Sequence, residues 1–450
     1  MIAIVGGGIS GLSAAYELAS RHVPFVLFEA SSRLGGLIRT ERVAGFTIEA
    51  GADSMLAQKR AALDLCAQVG LQPRVLQQKS PRGAFVLHRG RLHPLPSPSM
   101  FGIPAKWGDL ARYSLMPPAA RARIAIEPLI PRRRSTVDES VAAFFTRRFG
   151  AATVDLLAQP LIGGIHAGSV GTLSLRGLFP HLAEAEQMNA KVLRWMQRTA
   201  RMTGPRGAFR SLVSGMSELV EALRDRLPGE AVRLDSPIPS ISRRQGGWTL
   251  ATPAGPFDCS AVILACPAHQ AAMLLRPLDS DAAALCAATR YVSTVSVALG
   301  WPRASVGHPL AGSGFVVARA TNDVRITAAT WVTSKWEHRA PVAHVLLRAY
   351  LGGAHDPSAV DEDDETMIGT AVRELSAILS IRDTPMLARV ARWPRAGAQH
   401  EVGHADRVAA LDGRLTALPG LHVTGSGFRS IGIPDCIADG RAVARQAAER

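Results

Sequence analysis

The chain has 450 residues, enough for two or three domains around a large buried core. Apolar residues make up 47% and charged residues 20%, an ordinary globular balance that excludes long disorder, and no apolar run approaches the roughly 18 residues of a membrane span. Lysine and arginine outnumber aspartate and glutamate 51 to 37, a net +14 that suits carboxylate-bearing ligands or anionic lipid as well as plain solubility, while sparse aromatics and the lack of zinc-finger or RNP spacing exclude a nucleic-acid module.

The N-terminus is apolar but carries glycines and Glu17 where a signal peptide has its hydrophobic stretch, so a cytoplasmic chain is expected. The scattered cysteines (Cys66, Cys259, Cys266, Cys286, Cys436) form no CxxC pair, and the histidines show no HExxH spacing. Reduced thiols and no metal site follow.

The chain opens with a predicted strand at 2–5, a helix at 12–19 and a strand at 25–28, the order of a parallel βαβ unit. Between strand and helix lie Gly6, Gly7, Gly8, Ile9, Ser10 and Gly11, a GxGxxG. Such glycines let the backbone turn tightly against a pyrophosphate that faces the helix N-terminus. Glu29 closes the second strand, where a carboxylate suits a ribose hydroxyl pair. The next segment, ASSRLGG with Arg33 and the glycine pair ending at Gly36, is similar to the flavin-type extension of glutathione-reductase-like proteins, and it favours FAD over NAD.

A mixed segment runs to about residue 95, and 96–130 is rich in proline, tryptophan and methionine. The spacing of Val137, Val141, Phe144, Phe145 and Phe149 predicts a helix over 136–149 with Thr136 and Glu139 as a capping box. A second helical stretch covers 181–200, and another follows Gly215. Strands are predicted at 232–234, 248–252 and 261–265, the last an apolar run suited to the centre of a parallel sheet. A second sheet is predicted from 290–300, 325–333 and 343–351, then a helix over 363–380, a strand at 421–425 and a helix over 434–448.

Further motifs narrow the resemblance. Residues 48–54 (IEAGADS), 92–96 (LHPLP), 163–168 (GGIHAG) with LSLR after it, Trp393 followed by VGH at 402–404, and GIPDCI from Gly432 are similar, in order, to segments of the oxygen-dependent porphyrinogen oxidases of the flavin amine oxidase superfamily. The resemblance implies an α/β fold: a glutathione-reductase-type FAD-binding Rossmann domain (1–75, 205–270, 405–450), an interleaved mixed-sheet substrate domain (76–95, 271–404) and a helical insert (96–204). It implies FAD as cofactor, a porphyrinogen and O2 as reactants, and oxidation of protoporphyrinogen IX to protoporphyrin IX. Coproporphyrinogen III is the alternative substrate, and another flavin amine oxidase or desaturase activity a further one.

The resemblance also distributes roles. Gly6 to Gly11 hold the pyrophosphate, with Arg33, Gly36 and Leu37 beside it; Glu29 binds the ribose and the backbone of Val232 meets the adenine. Gly51, Ala52, Asp53, Ser54, Trp393, Ile431, Gly432 and Ile433 line the flavin. Gly168 lies near the substrate pocket floor and Trp331 against a substrate ring. No catalytic acid, base or nucleophile is needed, since the cofactor carries the chemistry. The chain departs from the pattern at His166 and at His400, where aromatics are usual, and at Ala84; His166 is then either a contact for a substrate propionate or a solvated imidazole, and Arg82 is the candidate arginine partner of a propionate. Phe101, Trp107, Leu115 and Met116 near arginines suit either a pocket lid or peripheral membrane contact, and a homo-oligomer stays open.

Overall fold

Residues 1–189, 191–202, 207–318, 323–429 and 431–449 are described by a computed structural model. The fully buried strand β1 (Ile2–Val5) is followed by helix α1 (Ile9–Ser20) and strand β2 (Phe25–Phe28), as the apolar runs and glycine turn predict. The two strands pair in parallel, Ile2 opposite Phe25. The sheet is completed by Val232–Arg233 beside β2, and by Ala261–Leu264 and then Leu421–Val423 on the other side of β1. All five strands are parallel, and the AVIL run is indeed internal.

Each face of this sheet is covered. Leu12 and Leu18 of α1, Leu219 and Leu223 of the helix Ser217–Arg224, and Val443 and Ala444 of the helix Ile433–Ala448 close one side. On the other side pack Trp248, Leu274, Cys286 and Leu415. The helices Ala268–Leu275 and Ser280–Ala287 therefore belong to the first sheet, although 271–404 was expected to form the second unit. The expected boundary at 204/205 lies outside the described residues.

A seven-stranded mixed sheet runs Leu387–Gln399, Arg290–Pro302, His344–Gly352, Ala328–Trp331, Gly314–Val317, Phe85–His88, Arg91–Pro94. Alternation along Arg290–Pro302 decides what each face meets. Val295, Val297 and Leu299 pack with Met367, Ala371 and Leu375 of the helix Asp364–Leu379. Ala298, with Leu346 of the next strand, packs instead with Phe46 and Ile48 of the hairpin Thr40–Val43/Phe46–Glu49.

The region from 107 to 202 is mainly helical. The helix predicted over 136–149 is Val141–Phe149, shorter than expected: Ser140 caps it by accepting from the Ala143 amide, while Glu139 pairs with Arg147. Thr136 and Glu139 therefore form no capping box. The π-helix Val154–Gly163 carries Pro160, whose missing amide and ring clash favour a widened turn. The stretch predicted as one helix is two, Pro180–Asn189 and Val192–Met202. Glu127 accepts from the amides of Val192 and Leu193 and pairs with Arg148, both side chains fully buried. Among the described residues no helix is long and apolar enough to cross a membrane.

Candidate functional site

The turn after β1 is held from below. The Gly6 amide donates to Phe28 O, and a side chain at Gly11 would run into Gly6 O, so α1 can start this close to the strand only with glycine there. The Gly7 amide donates to Glu29 Oε2 at 2.7 Å, and Glu29 Oε1 accepts from the amide and hydroxyl of Ser31. Glu29 is thus fixed at the tip of β2, and its own amide donates to Arg233 O, next to Val232. Gly8, the N-cap of α1, has no side-chain cap, and a Cβ there would meet nothing within 4 Å. An open space at an uncapped helix N-terminus, bounded by glycines and a ribose-height carboxylate, is the shape and charge a dinucleotide pyrophosphate requires.

The segment after β2 returns to this turn. The Gly35 amide donates to Gly7 O, and Gly36 lies against Gly8. Arg33 holds the loop together by donating to the carbonyls of Leu34, Gly36 and Ile38. Leu37 is exposed, and its carbonyl accepts from the Ala52 amide.

That bond joins the loop to a second wall, residues 51–54. The seven-stranded sheet fixes this wall through three side chains on one face. Ser296 Oγ and Trp393 Nε1 both donate to Ala50 O, at 3.0 and 2.8 Å, and Arg348 Nη2 donates to Gly51 O at 2.6 Å. Asp53 accepts from Ser54 Oγ and from Lys335 Nζ at 2.9 Å. Burial alone would raise the Asp53 carboxyl, but Lys335 and Arg348 outweigh it and hold it well below the usual carboxylate range. Glu49 responds the other way. Burial pushes its carboxyl up to about 7, although the Met216 amide, Thr40 Oγ1 and Arg339 oppose the rise.

The third wall is the tail. Gly432 caps the helix Ile433–Ala448, with Ile431 just before it. The preceding turn has three successive carbonyls held by side chains. His400 Nε2 donates to Ser426 O, Thr289 Oγ1 to Gly427 O, and His404 Nε2 to Phe428 O. His400, unusual in sequence, is 2% exposed and so holds this turn rather than facing a ligand.

The residues expected at the substrate divide. Gly168 lines a small cavity together with Gln159, Gly163, Val317, Gly352 and His355. Its carbonyl accepts from Gln159 Nε2. His166 stands beside it, and burial pushes its imidazole down to about 4, so it offers no positive charge to a carboxylate at neutral pH. Arg82 is exposed and donates to Gln78 O, on the loop before Phe85–His88. Trp331 is a correction. It is fully buried among Leu347, Phe315 and Leu375, on the sheet face turned away from Ser296 and Arg348, with its ring against Phe85 and His308. It is a core residue, because strand alternation puts it on the helix-covered side.

Thr40, Lys335 and Arg348 were not singled out from sequence, and Glu49 entered only as a member of the IEAGADS motif, with no role of its own. The one signal was Arg348, a lone charge in the apolar run VLLRAYL. Among the described residues no cluster of His, Cys, Asp or Glu is placed to hold a metal ion.

Comparison with known proteins agrees with this geometry. The profile of the family "Flavin containing amine oxidoreductase" matches residues 9–448. A coproporphyrinogen III oxidase of Bacillus subtilis is 34% identical, over 99% of this chain and 97% of its own. One from Staphylococcus aureus is 30% identical, over 99% and 98%. A crystal structure of a candidate protoporphyrinogen oxidase from Exiguobacterium superposes with a TM-score of 0.89 at 32% identity, covering 100% of this chain and 99% of that one.

Proposed function

Since the chain belongs to the flavin containing amine oxidoreductase family, we propose that it is an FAD-dependent oxidase converting coproporphyrinogen III to coproporphyrin III. The observation that carries the substrate is full-length similarity to two coproporphyrinogen III oxidases. Protoporphyrinogen IX, the first expectation from sequence, is the second reading, favoured by the Exiguobacterium structure. The cofactor is FAD, and the open cradle at Gly8 fits it.

Bound FAD supplies a two-electron acceptor for hydride and passes the electrons to O2. A porphyrinogen carries six more hydrogens than its porphyrin, so the overall change uses three such rounds and three O2, releasing three H2O2. The protein binds and orients. Gly6, Gly7, Gly8, Ile9, Ser10 and Gly11 present the α1 N-terminus to the pyrophosphate, with Arg33, Gly36 and Leu37 closing the loop beside it. Glu29 accepts from the ribose, and Val232 lies where the adenine would pass. The backbone of 51–54, the ring of Trp393 and the 431–433 turn form the walls around the isoalloxazine. Gly168 and Gln159 line a small cavity on the substrate side, and Gly168 lets the chain pack closely against Gln399 and Leu173 there.

Lipid contact is part of the same proposal. Leu129 and Val137 are 81% and 71% exposed in the helical region, near Arg132, Arg133 and Arg134. An apolar edge beside cations suits peripheral contact with an anionic bilayer. Steady-state oxidation of both porphyrinogens tests the substrate: kcat/KM at least tenfold higher for coproporphyrinogen III supports it, and the reverse order selects the second reading.

A further inference from the structure

Beneath residues 51–54 lies a second, small cavity with room for about one water, lined by Glu49 and Asp53 on one side and Arg348, Trp336, Val332 and Leu346 on the other. Two lining residues carry buried donors without a partner among the described residues, Arg348 Nε and Trp336 Nε1. Their residues are 7% and 1% exposed. Most of its wall is apolar, but the two unmatched donors and the facing Glu49 and Asp53 carboxylates supply the polar partners that one ordered water needs.

The charges around this space are mostly engaged. Lys335 pairs with Asp53, Arg348 donates to Gly51 O and lies 4.7 Å over the Tyr350 ring, and Arg339 donates to Ser211 Oγ and to the carbonyls of Leu212 and Val213. Glu49 is 4% exposed and has no ion pair among the described residues. It accepts from the Met216 amide and from Thr40 Oγ1, faces Arg339 and Asp53, and lies two residues from the flavin wall at Gly51.

We propose that Glu49, together with the water of this cavity, is the proton store of the flavin site, protonated each time the cofactor is reduced and deprotonated each time it is reoxidised. The proposal rests on the FAD reading above. Hydride from the substrate brings two electrons and one negative charge to the site. A solvent proton then forms an O–H bond on the Glu49 carboxylate, which restores the net charge. When O2 takes the hydride equivalent and that proton, H2O2 leaves and the carboxylate returns. The direction follows from electrostatics: a new negative charge nearby favours the neutral acid, and by linkage protonation of Glu49 favours reduction. The carboxyl already stands near 7 before reduction, so uptake falls in the neutral to mildly alkaline range.

The test is proton uptake by the holoenzyme during anaerobic photoreduction, read with a pH indicator in weak buffer between pH 6 and 9, for the wild type, Glu49→Gln and Thr40→Val. An infrared difference spectrum is taken on the same samples. The extra uptake of the wild type over Glu49→Gln should be small at pH 6, where the carboxyl is already protonated, and approach one proton per flavin toward pH 8, and its protonated-carboxyl band in the reduced state should vanish in Glu49→Gln. Thr40→Val removes a donor that favours the charged form, so its uptake should move to higher pH. It also keeps the test open should Glu49→Gln fail to fold. Equal uptake in wild type and Glu49→Gln, or no shift in Thr40→Val, overturns the proposal. A purified wild type without flavin absorbance would instead overturn the cofactor reading on which it rests.

Discussion

The imidazoles of His400 and His404 lie stacked, with centroids 3.9 Å apart and planes 16° apart, and each donates to a carbonyl of the turn that leads into the 431–433 wall. Two cations cannot share that spacing in a buried place, and burial pushes His400 down to about 3, with His404 as the next cause. A histidine held neutral below its unfolded value gives stability that is complete above about pH 6.5 and lost as pH falls toward the folded value. Replacing His400 with glutamine, which keeps a donor, should therefore flatten the acid limb of a stability-versus-pH curve. His400→Ala should cost about 1–3 kcal/mol for the orphaned carbonyl and loosen flavin binding. Denaturant midpoints from pH 4 to 7, with flavin retention on a desalting column, check both.

Glu49 acts with the opposite sign. Its folded value, about 7, is above the ordinary glutamate value of 4.5, so the folded state holds the extra proton between those limits and stability falls as pH rises through them. The difference is roughly 3 kcal/mol at most. Glu49→Gln should lose this decline, so its stability relative to wild type should rise from pH 4.5 to 7 and then level off; a parallel curve would contradict the burial argument.

Two glycines of the same turn, Gly8 and Gly11, should behave differently. A methyl at Gly11 collides with Gly6 O, so Gly11→Ala should destabilise the chain whether or not cofactor is present. A methyl at Gly8 meets no protein atom, so Gly8→Ala should leave the apoprotein's Tm within about 1 °C of wild type, a surface-like change. Its flavin affinity should fall at least tenfold. Thermal melts of apo and reconstituted protein distinguish the two.

Lys335 stands 10% exposed against Asp53. Lys335→Met would take the hydrogen-bonded cation from the partly buried Asp53 carboxylate and leave only Arg348 beside it, a loss of about 1–3 kcal/mol. The doubly changed Lys335→Met/Asp53→Leu chain should recover part of it. A double variant no more stable than the single one would show that the pair is not the source of the loss.

Trp331→Phe provides the control for the core assignment. A smaller ring in a filled core should cost roughly 1–3 kcal/mol while KM for either porphyrinogen stays unchanged. A raised KM without lost stability would restore this residue to the substrate pocket.

What was legible in sequence follows the range over which each interaction acts. The βαβ unit at 2–28 is written in adjacent residues, with apolar strands, a glycine turn and a closing acid, and its elements appear within three residues of expectation. The strand Arg290–Pro302 and the helix Asp364–Leu379 were equally clear from their own periodicity. Ser140 displaced Thr136 as a cap because the Val141 amide is bound by Leu173 O, a contact no local pattern contains. Trp331 was misplaced because motif order says nothing about which face of a strand a ring takes. Lys335 and Arg348 reach Glu49 and residues 51–54 from far along the chain, so only the fold brings these charges together.

The most direct test of the central claim is anaerobic mixing of the flavin-loaded protein with coproporphyrinogen III, followed at the flavin absorption band. The account predicts prompt bleaching, recovery on admitting O2, and coproporphyrin III with three H2O2 per macrocycle as products. A flavin that stays oxidised in the presence of both coproporphyrinogen III and protoporphyrinogen IX would contradict it.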